Sequence, residues 1–281
     1  MTQMPTNSMF RVYLYPEPWA PTLSCEALAE YLKSMAPSFQ VEVRDPFIAY
    51  HLARLGEVQG REAIDGLARG LAIAKVHNLM KHTLNESPIP GEISYERRRL
   101  ETRSKVFGLF YDGIEMMHLM AGLIAPEERR LSHIHVIFTN QLFGTWEDDD
   151  RRYHARASLC GFPSLVSTTG LVEAPAKPRE FYLLKQQYTA LGMADAIDSG
   201  IKKEFSGRVL EHGDERLTEV AKGYVLQAIF NQVWGEPFCE DKGCRLFNAH
   251  WQTEMLAAQL GGVYDLCPRH EAMLGPKSPV A

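Results

Sequence analysis

Two short segments near the end of the chain carry its clearest chemical pattern: residues 239–244 (CEDKGC) and residues 267–270 (CPRH). Each segment begins and ends with a residue type that binds zinc, and short loops let two such ligands reach one ion at about 2.3 Å for sulfur and about 2.0 Å for nitrogen. The spacing predicts one structural Zn²⁺, held by Cys239, Cys244, Cys267 and His270. Four protein ligands close the coordination shell, so the predicted ion stabilises the fold and leaves no position open for catalysis.

The fourth zinc ligand has an alternative in His250, which lies between the two cysteine segments. We predict a helix over residues 248–259, which puts His250 on the first turn, where a surface or capping role is more common. The prediction therefore favours His270 and leaves His250 as the alternative. The other two cysteines, Cys25 and Cys160, stand alone and are predicted to be inert.

The segments upstream of the cysteines predict a mixture of helices and strands. The longest predicted helix covers residues 214–234, with Asp214 as its N-cap and Gly235 just after its end. The clearest strand is 133–139 (HIHVIFT), which has four β-branched residues in seven. Further strands are predicted at 9–15, 39–43, 157–162 and 164–169, and further helices at 25–35, 61–84 and 180–191. Without a repeat or a low-complexity linker, the pattern predicts one α+β domain over residues 1–281, with a mixed twisted sheet packed on helices.

Residues 214–270 resemble the archaemetzincins, a branch of the metzincin zinc peptidases. The family pattern is H-E-x-x-H-x-x-G-x-x-H-C-x4-C-x-M, followed downstream by C-x-x-C, and its C-x4-C matches Cys239 and Cys244 without gaps. The downstream C-x-x-C then falls on Cys267 and His270, and the helix-ending glycine falls on Gly235. The resemblance implies a zincin-like fold in which residues 214–270 form the active-site helix and a zinc-binding C-terminal segment. More loosely, it implies that residues 165–177 form the edge strand and rim of a cleft.

The catalytic positions of the archaemetzincin pattern do not carry over. Its three histidines fall on Ala228, Gln232 and Phe238, its glutamate on Ile229, and its methionine on Leu246. Zinc needs lone-pair donors, and activation of a zinc-bound water needs a carboxylate as base. The resemblance therefore implies a pseudoenzyme with one structural zinc. Its old cleft is expected to hold a peptide or protein partner, since peptide pairing with an edge strand needs no metal.

A reassigned enzyme site is the alternative function, and it would use the polar segment 147–156. Within this segment Asp150, Tyr153, His154 and Arg156 are the candidate catalytic residues, because a histidine beside carboxylates can serve as an acid or a base. Such an enzyme would be a hydrolase or would act on a small molecule. The more common interpretation of such a charged run is a solvated loop with local ion pairs.

Composition excludes some classes of function. The 281 residues carry a formal net charge of −5, which argues against a nucleic-acid partner. The most apolar window, residues 114–125, is too short to span a membrane. An odd cysteine count and no basic leader predict a reducing compartment and a cytoplasmic protein. A second metal site built from distant residues such as His133, His135 and His154 stays open, as does the oligomeric state.

Overall fold

The computed structural model describes residues 9–102, 108–192, 200 and 204–275. The strands are β1 (Phe10–Tyr15), β2 (Phe39–Val43), β3 (Phe110–Asp112), β4 (His133–Thr139), β5 (Leu142–Glu147), β6 (Arg152–Arg156), β7 (Ser158–Leu159) and β8 (Ser164–Ser167). The helices are α1 (Cys25–Met35), α2 (Phe47–Ala53), α3 (Glu57–Ala74), α4 (Pro90–Thr102), α5 (Gly113–Leu123), α6 (Thr168–Glu173), α7 (Arg179–Ala190), α8 (Leu217–Trp234), α9 (Gln252–Leu260) and α10 (Pro268–Leu274). Within these ranges, no helix combines the length and apolar character needed to cross a bilayer.

Two sheets form the β structure. The larger has the order β2-β1-β4-β8-β7, in which the first four strands are parallel and β7 pairs antiparallel with β8 at the edge. The smaller has the order β3-β5-β6. Parallel strands are covered on both faces and are therefore rich in apolar residues. Accordingly, every residue of β8, and every residue of β4 after the first, is buried.

The larger sheet separates two apolar cores, and β1 contributes to both. Val12 and Leu14 pack with α1 and α8 on one face, whereas Tyr13 and Tyr15 pack with α3 and α5 on the other. This division follows from the two-residue period of a strand, which points successive side chains to opposite faces. Helix α8 is buried around most of its circumference, so its apolar residues show little helical periodicity. The protein is therefore a mixed α+β structure with mixed sheets packed on helices.

Several predicted elements are confirmed. Strands 39–43 and 133–139 have the predicted bounds. Helix 25–35 also has the predicted bounds. At its start, the Ser24 hydroxyl accepts the N–H of Ala27. The predicted end of α8 is confirmed by Gly235, which has φ +72° and caps the helix in the left-handed conformation.

Other predicted bounds are wrong. The helix predicted at 61–84 ends at Ala74, because Lys75 is extended and forms a bridge with Tyr111 beside β3. Asp214 does not cap α8, because the N-cap residue is Arg216. The Asp214 carboxylate instead accepts the backbone N–H of Arg216 and forms an ion pair with the Arg216 guanidinium. The predicted helix 248–259 begins only at Gln252.

A buried polar network joins the first strands of the larger sheet to the turn before β4. Arg44, which follows β2, forms a two-pronged ion pair with Glu128 at 2.8 and 2.9 Å and donates to the Tyr15 hydroxyl at 3.0 Å. That hydroxyl lies 2.9 Å from His135 Nδ1, and His135 Nε2 lies 3.3 Å from the Glu128 carbonyl oxygen. A tyrosine that donates to Nδ1 leaves the imidazole proton on Nε2, so the network fits a neutral His135.

Two histidines in this region resist protonation. Burial lowers the pKa of His135, and likewise that of His51, from 6.5 to about 4. Both side chains are almost fully inaccessible, and His51 packs against the rings of Phe47 and Tyr15. The charged form of either residue is therefore disfavoured in the folded protein.

We expect the free energy of unfolding to decrease as the pH falls from about 6.5 towards 4. In that range the unfolded chain binds protons at His51 and His135 that the folded chain does not bind. The free energy of unfolding therefore decreases by up to about 1 kcal/mol per pH unit for each histidine. Urea unfolding between about pH 7 and pH 5 gives the free energy of unfolding at each pH. Its dependence on pH should be weaker for His135→Gln than for the native protein. The exposed His250 is the control, since His250→Gln should keep the native slope. A native slope in His135→Gln would contradict the interpretation.

Candidate functional site

The four predicted zinc ligands converge at the C-terminal end of the chain. One ligand atom from each of Cys239, Cys244, Cys267 and His270 lies within 4.8 Å of the others. Cys239 Sγ and Cys267 Sγ are 3.9 Å apart, and His270 Nδ1 lies 3.8 Å from Cys244 Sγ and 3.1 Å from Cys267 Sγ. Tetrahedral ligands at about 2.3 Å from an ion stand about 3.8 Å apart, so the spacing suits a single metal ion. Three thiols and an imidazole form a donor set that fits zinc.

Local backbone structure brings each pair of ligands together. In the first segment, Asp241 accepts the N–H of Gly243 at 2.9 Å and so turns the chain between Cys239 and Cys244. In the second, Cys267 is the N-cap of α10 and Pro268 occupies its first turn. His270 lies in the same first turn, so its imidazole comes close to Cys267 Sγ.

Backbone N–H groups support the sulfur atoms. The N–H of Asp241 donates to Cys239 Sγ at 3.3 Å, and the N–H of Cys267 donates to Cys244 Sγ at 3.5 Å. Such donors favour thiolates, whereas burial raises the pKa of Cys244 to about 12. A bound cation would reverse the effect of burial, because a coordinating thiol loses its proton. The Phe230 ring of α8 packs edge-on against His270 at 5.4 Å and orients the imidazole.

The residues at which the archaemetzincin resemblance implies catalytic side chains lie on α8 and after it, in different surroundings. Ala228 and Ile229 are buried, as is Leu246 after the helix, whereas Phe238 is 46% exposed. Gln232 Nε2 donates to the carbonyl oxygens of Leu131 at 3.0 Å and His133 at 2.8 Å. The Gln232 amide therefore ties the end of α8 to the beginning of β4.

A groove of about 500 Å³ lies beside this end of α8. Asn231 and Gln232 form one side, and residues 121–122, 129–131 and 161–162 form the rest. The lining is mostly apolar, with two arginines at positions 129 and 130. Sequence reasoning missed these arginines and the aromatic ring at position 162, because they come from separate loops.

The polar segment 147–156 consists of the last residue of β5, a turn at 148–151 and strand β6, which pairs antiparallel with β5. His154 Nε2 lies 2.7 Å from Asp150 Oδ2, and Arg156 contacts Glu147 and donates to Thr145. Tyr153 lies on the other face of β6, where it is buried and donates to Asp112 at 2.9 Å. The structure thus brings Asp150 and His154 together but separates Tyr153 from both.

The distant histidines do not converge. His133 and His135 lie on β4, where both rings contact Tyr13, whereas His154 lies on the smaller sheet. His250 is exposed, and its carbonyl oxygen accepts the N–H of Ala176. In the part of the chain that the structure describes, the three cysteines and His270 are the only group of three or more metal-ligand side chains close enough to share an ion.

Comparison with protein families adds one finding. Residues 8–277 match the model of DUF6775, which is described as a probable metallopeptidase family. The chain belongs to this family. The match covers nearly the whole sequence, including the Cys/His cluster, α8 and both sheets. It supports a metallopeptidase-like family in which a metal is expected. No curated protein and no solved structure matches the chain.

We expect His270→Ala to lose bound metal and His250→Ala to keep it. Only the His270 imidazole lies among the sulfur atoms. An ion at about 1,000 times its Kd stabilises the folded state by about 4 kcal/mol, so loss of the ligand should also lower the melting temperature. Metal content and thermal unfolding of the two purified variants provide the measurement. Equal metal content in both variants would contradict the assignment of His270.

Proposed function

We propose that this protein is a degenerate, archaemetzincin-like member of its family, with one structural zinc and a groove that holds a peptide or protein partner without cutting it. The clamp made by Gln232 carries the proposal. At a position where the resemblance implies a catalytic histidine, the amide nitrogen donates to the carbonyls of Leu131 and His133. A side chain bound in this way ties α8 to the sheet, and a glutamine amide is a poor zinc ligand.

The residue chemistry on the same helix supports this proposal. Ala228 has no lone-pair donor, and Ile229 has no carboxylate to act as a base. Both are packed in the apolar core between α8 and the larger sheet. A coherent change from polar to apolar residues suits a helix that stabilises the sheet and has no catalytic metal.

Zinc is the metal that the donor set favours. Thiolates with an imidazole select zinc over Mg²⁺ and Ca²⁺, which prefer oxygen ligands. All five cysteines are free thiols. A reducing compartment such as the cytoplasm would keep the three cysteine ligands available for the ion.

The surroundings of the groove favour a peptide as the partner. The residues at 161–162 come one residue after the end of β7, and β7 is the edge strand of the larger sheet. A peptide in the groove would lie next to this edge, where backbone pairing gives affinity and side-chain pockets give specificity. The apolar lining and the two arginines favour a peptide with both apolar and acidic side chains.

The first test is zinc stoichiometry. Protein purified without added zinc should contain one zinc per chain, because a single cluster of ligands supplies a closed tetrahedral site. Metal analysis by plasma mass spectrometry gives the number directly. Two tightly bound zinc ions per chain would overturn the proposal of a protein without a catalytic metal.

The second test uses peptide binding. Gly122 lines the groove, and a Cβ added there meets nothing within 4 Å, so Gly122→Phe should place its ring in the groove without disturbing the fold. Gly66→Phe is a matched control, since Gly66 is also an exposed glycine with open space, on α3. Peptides selected from a displayed library should bind the native protein and the control and bind Gly122→Phe at least tenfold more weakly.

Mass spectrometry of the selected peptides after long incubation completes this test. Intact peptides are expected. Cleavage that persists in pure protein, or equal binding to Gly122→Phe and Gly66→Phe, would overturn the proposed groove function.

A further inference from the structure

A second cavity, of about 430 Å³, lies where the parallel strands β1 and β4 end. Its walls are mainly apolar side chains from α2, α3 and α5, among them Phe47, Leu71, Met116 and Met120. Small-molecule pockets are typically about 300–1,000 Å³, mostly apolar, and fitted with a few polar groups. The carboxyl ends of parallel strands are also where open α/β sheets bind their ligands. None of the lining residues belongs to the metal centre or to the groove beside Gln232.

Arg99 is the charged group at one end of this cavity. Its side chain is 7% exposed, and its Nε has no hydrogen-bond partner among the residues that the structure describes. The Tyr111 ring lies 5.4 Å from the guanidinium carbon and provides a cation–π contact, but it offers Nε no acceptor. A buried donor without an acceptor is costly. Nε is itself enclosed, so a ligand in the cavity would reach Arg99 through the part of its side chain that borders the cavity.

The charges around Arg99 do not balance. Glu96 is fully buried and pairs with both Lys75, at 3.0 Å, and Arg99, at 2.7 Å. The hydroxyl of Tyr111 donates to the same carboxylate at 3.0 Å. Within the described part of the chain, two buried cations therefore share one buried carboxylate, and one positive charge is left at the wall of an apolar cavity. Buried charges are stable when they are paired, so this excess charge favours an anionic ligand group.

Two other carboxylates line the cavity, Glu17 and Glu101, and they determine how such a ligand would be oriented. Glu17 lines the cavity near the strand ends, where it accepts the N–H groups of Trp19 at 3.0 Å and Asn140 at 2.8 Å. A second anion at that end would be repelled. Glu101 also lines the cavity, but it is exposed to solvent, which screens its charge. The anionic group of a ligand is thus placed at Arg99, and its apolar part extends between the helices.

We propose that this cavity binds a small monocarboxylate with a linear apolar tail, its carboxylate at Arg99. A single excess positive charge matches one carboxylate, whereas a phosphate monoester carries about −1.5 to −2 charges at neutral pH. Pairs of guanidinium and carboxylate form strong, charge-assisted hydrogen bonds, which favours a carboxylate at Arg99. This inference is independent of the proposed peptide groove.

Titration calorimetry of the native, zinc-loaded protein with decanoate tests the proposal. Decanoate should bind, and decan-1-ol, which has the same tail without the charge, should bind at least tenfold more weakly. Arg99→Gln should reduce decanoate affinity at least tenfold and leave the affinity for decan-1-ol nearly unchanged. Arg97→Gln is the matched control, since Arg97 lies on the same helix, is 45% exposed and pairs with Asp65 outside the cavity. The Arg97→Gln variant should bind decanoate with the affinity of the native protein.

Two further comparisons keep the test decisive. If Arg99→Gln does not fold, the decanoate and decan-1-ol affinities of the native protein are compared alone, since they need no variant. Ala49→Phe, which places a ring in the cavity, should abolish binding of both compounds. The proposal is overturned if native protein binds no decanoate at millimolar concentration, or if it binds decanoate and decan-1-ol equally.

Discussion

Charge balance at the cluster of three cysteines and His270 constrains the whole C-terminal segment. Sulfur and nitrogen atoms that converge within 4.8 Å in a largely buried place need a cation to make thiolates favourable there. Binding of one cation by all four side chains would need two local turns of the chain, and the structure has both, one at Asp241 and one at the start of α10. Gly235 ends α8 four residues before the first ligand, and its left-handed backbone lets the chain leave the helix towards the cluster.

Helix α8 connects this cluster of cysteines and histidine to the larger sheet. Phe230 packs against His270 at one place on the helix, and Gln232 binds the backbone at the start of β4 at another. The helix thus serves as a packing element whose apolar surface is covered on most sides. The position of such a helix depends on burial and on the Gln232 clamp, and it needs no histidine or glutamate side chain.

Two buried ionic groups lie on the face of the larger sheet that carries Tyr13 and Tyr15. The Arg44–Glu128 pair balances its charges and includes a neutral His135. The group of Lys75, Glu96 and Arg99 does not balance, and it borders a cavity. The difference explains why the first is best understood as part of the core, whereas the second points to a ligand.

The sequence alone predicted that Cys239, Cys244, Cys267 and His270 lie together, and it predicted the strand at 133–139 and the end of α8 at Gly235. Each depends on local rules: ligands a few residues apart, β-branched residues in a run, and a glycine that adopts positive φ. The hairpin of β5 and β6 was missed because its charged residues mask the alternation of a strand. Only the tertiary structure decided that Gln232 clamps β4, 99 residues or more away in sequence, and that Arg99 borders a cavity built from several elements. Such contacts depend on how helices pack on the sheet, and a single sequence carries no record of which distant side chains that packing brings together.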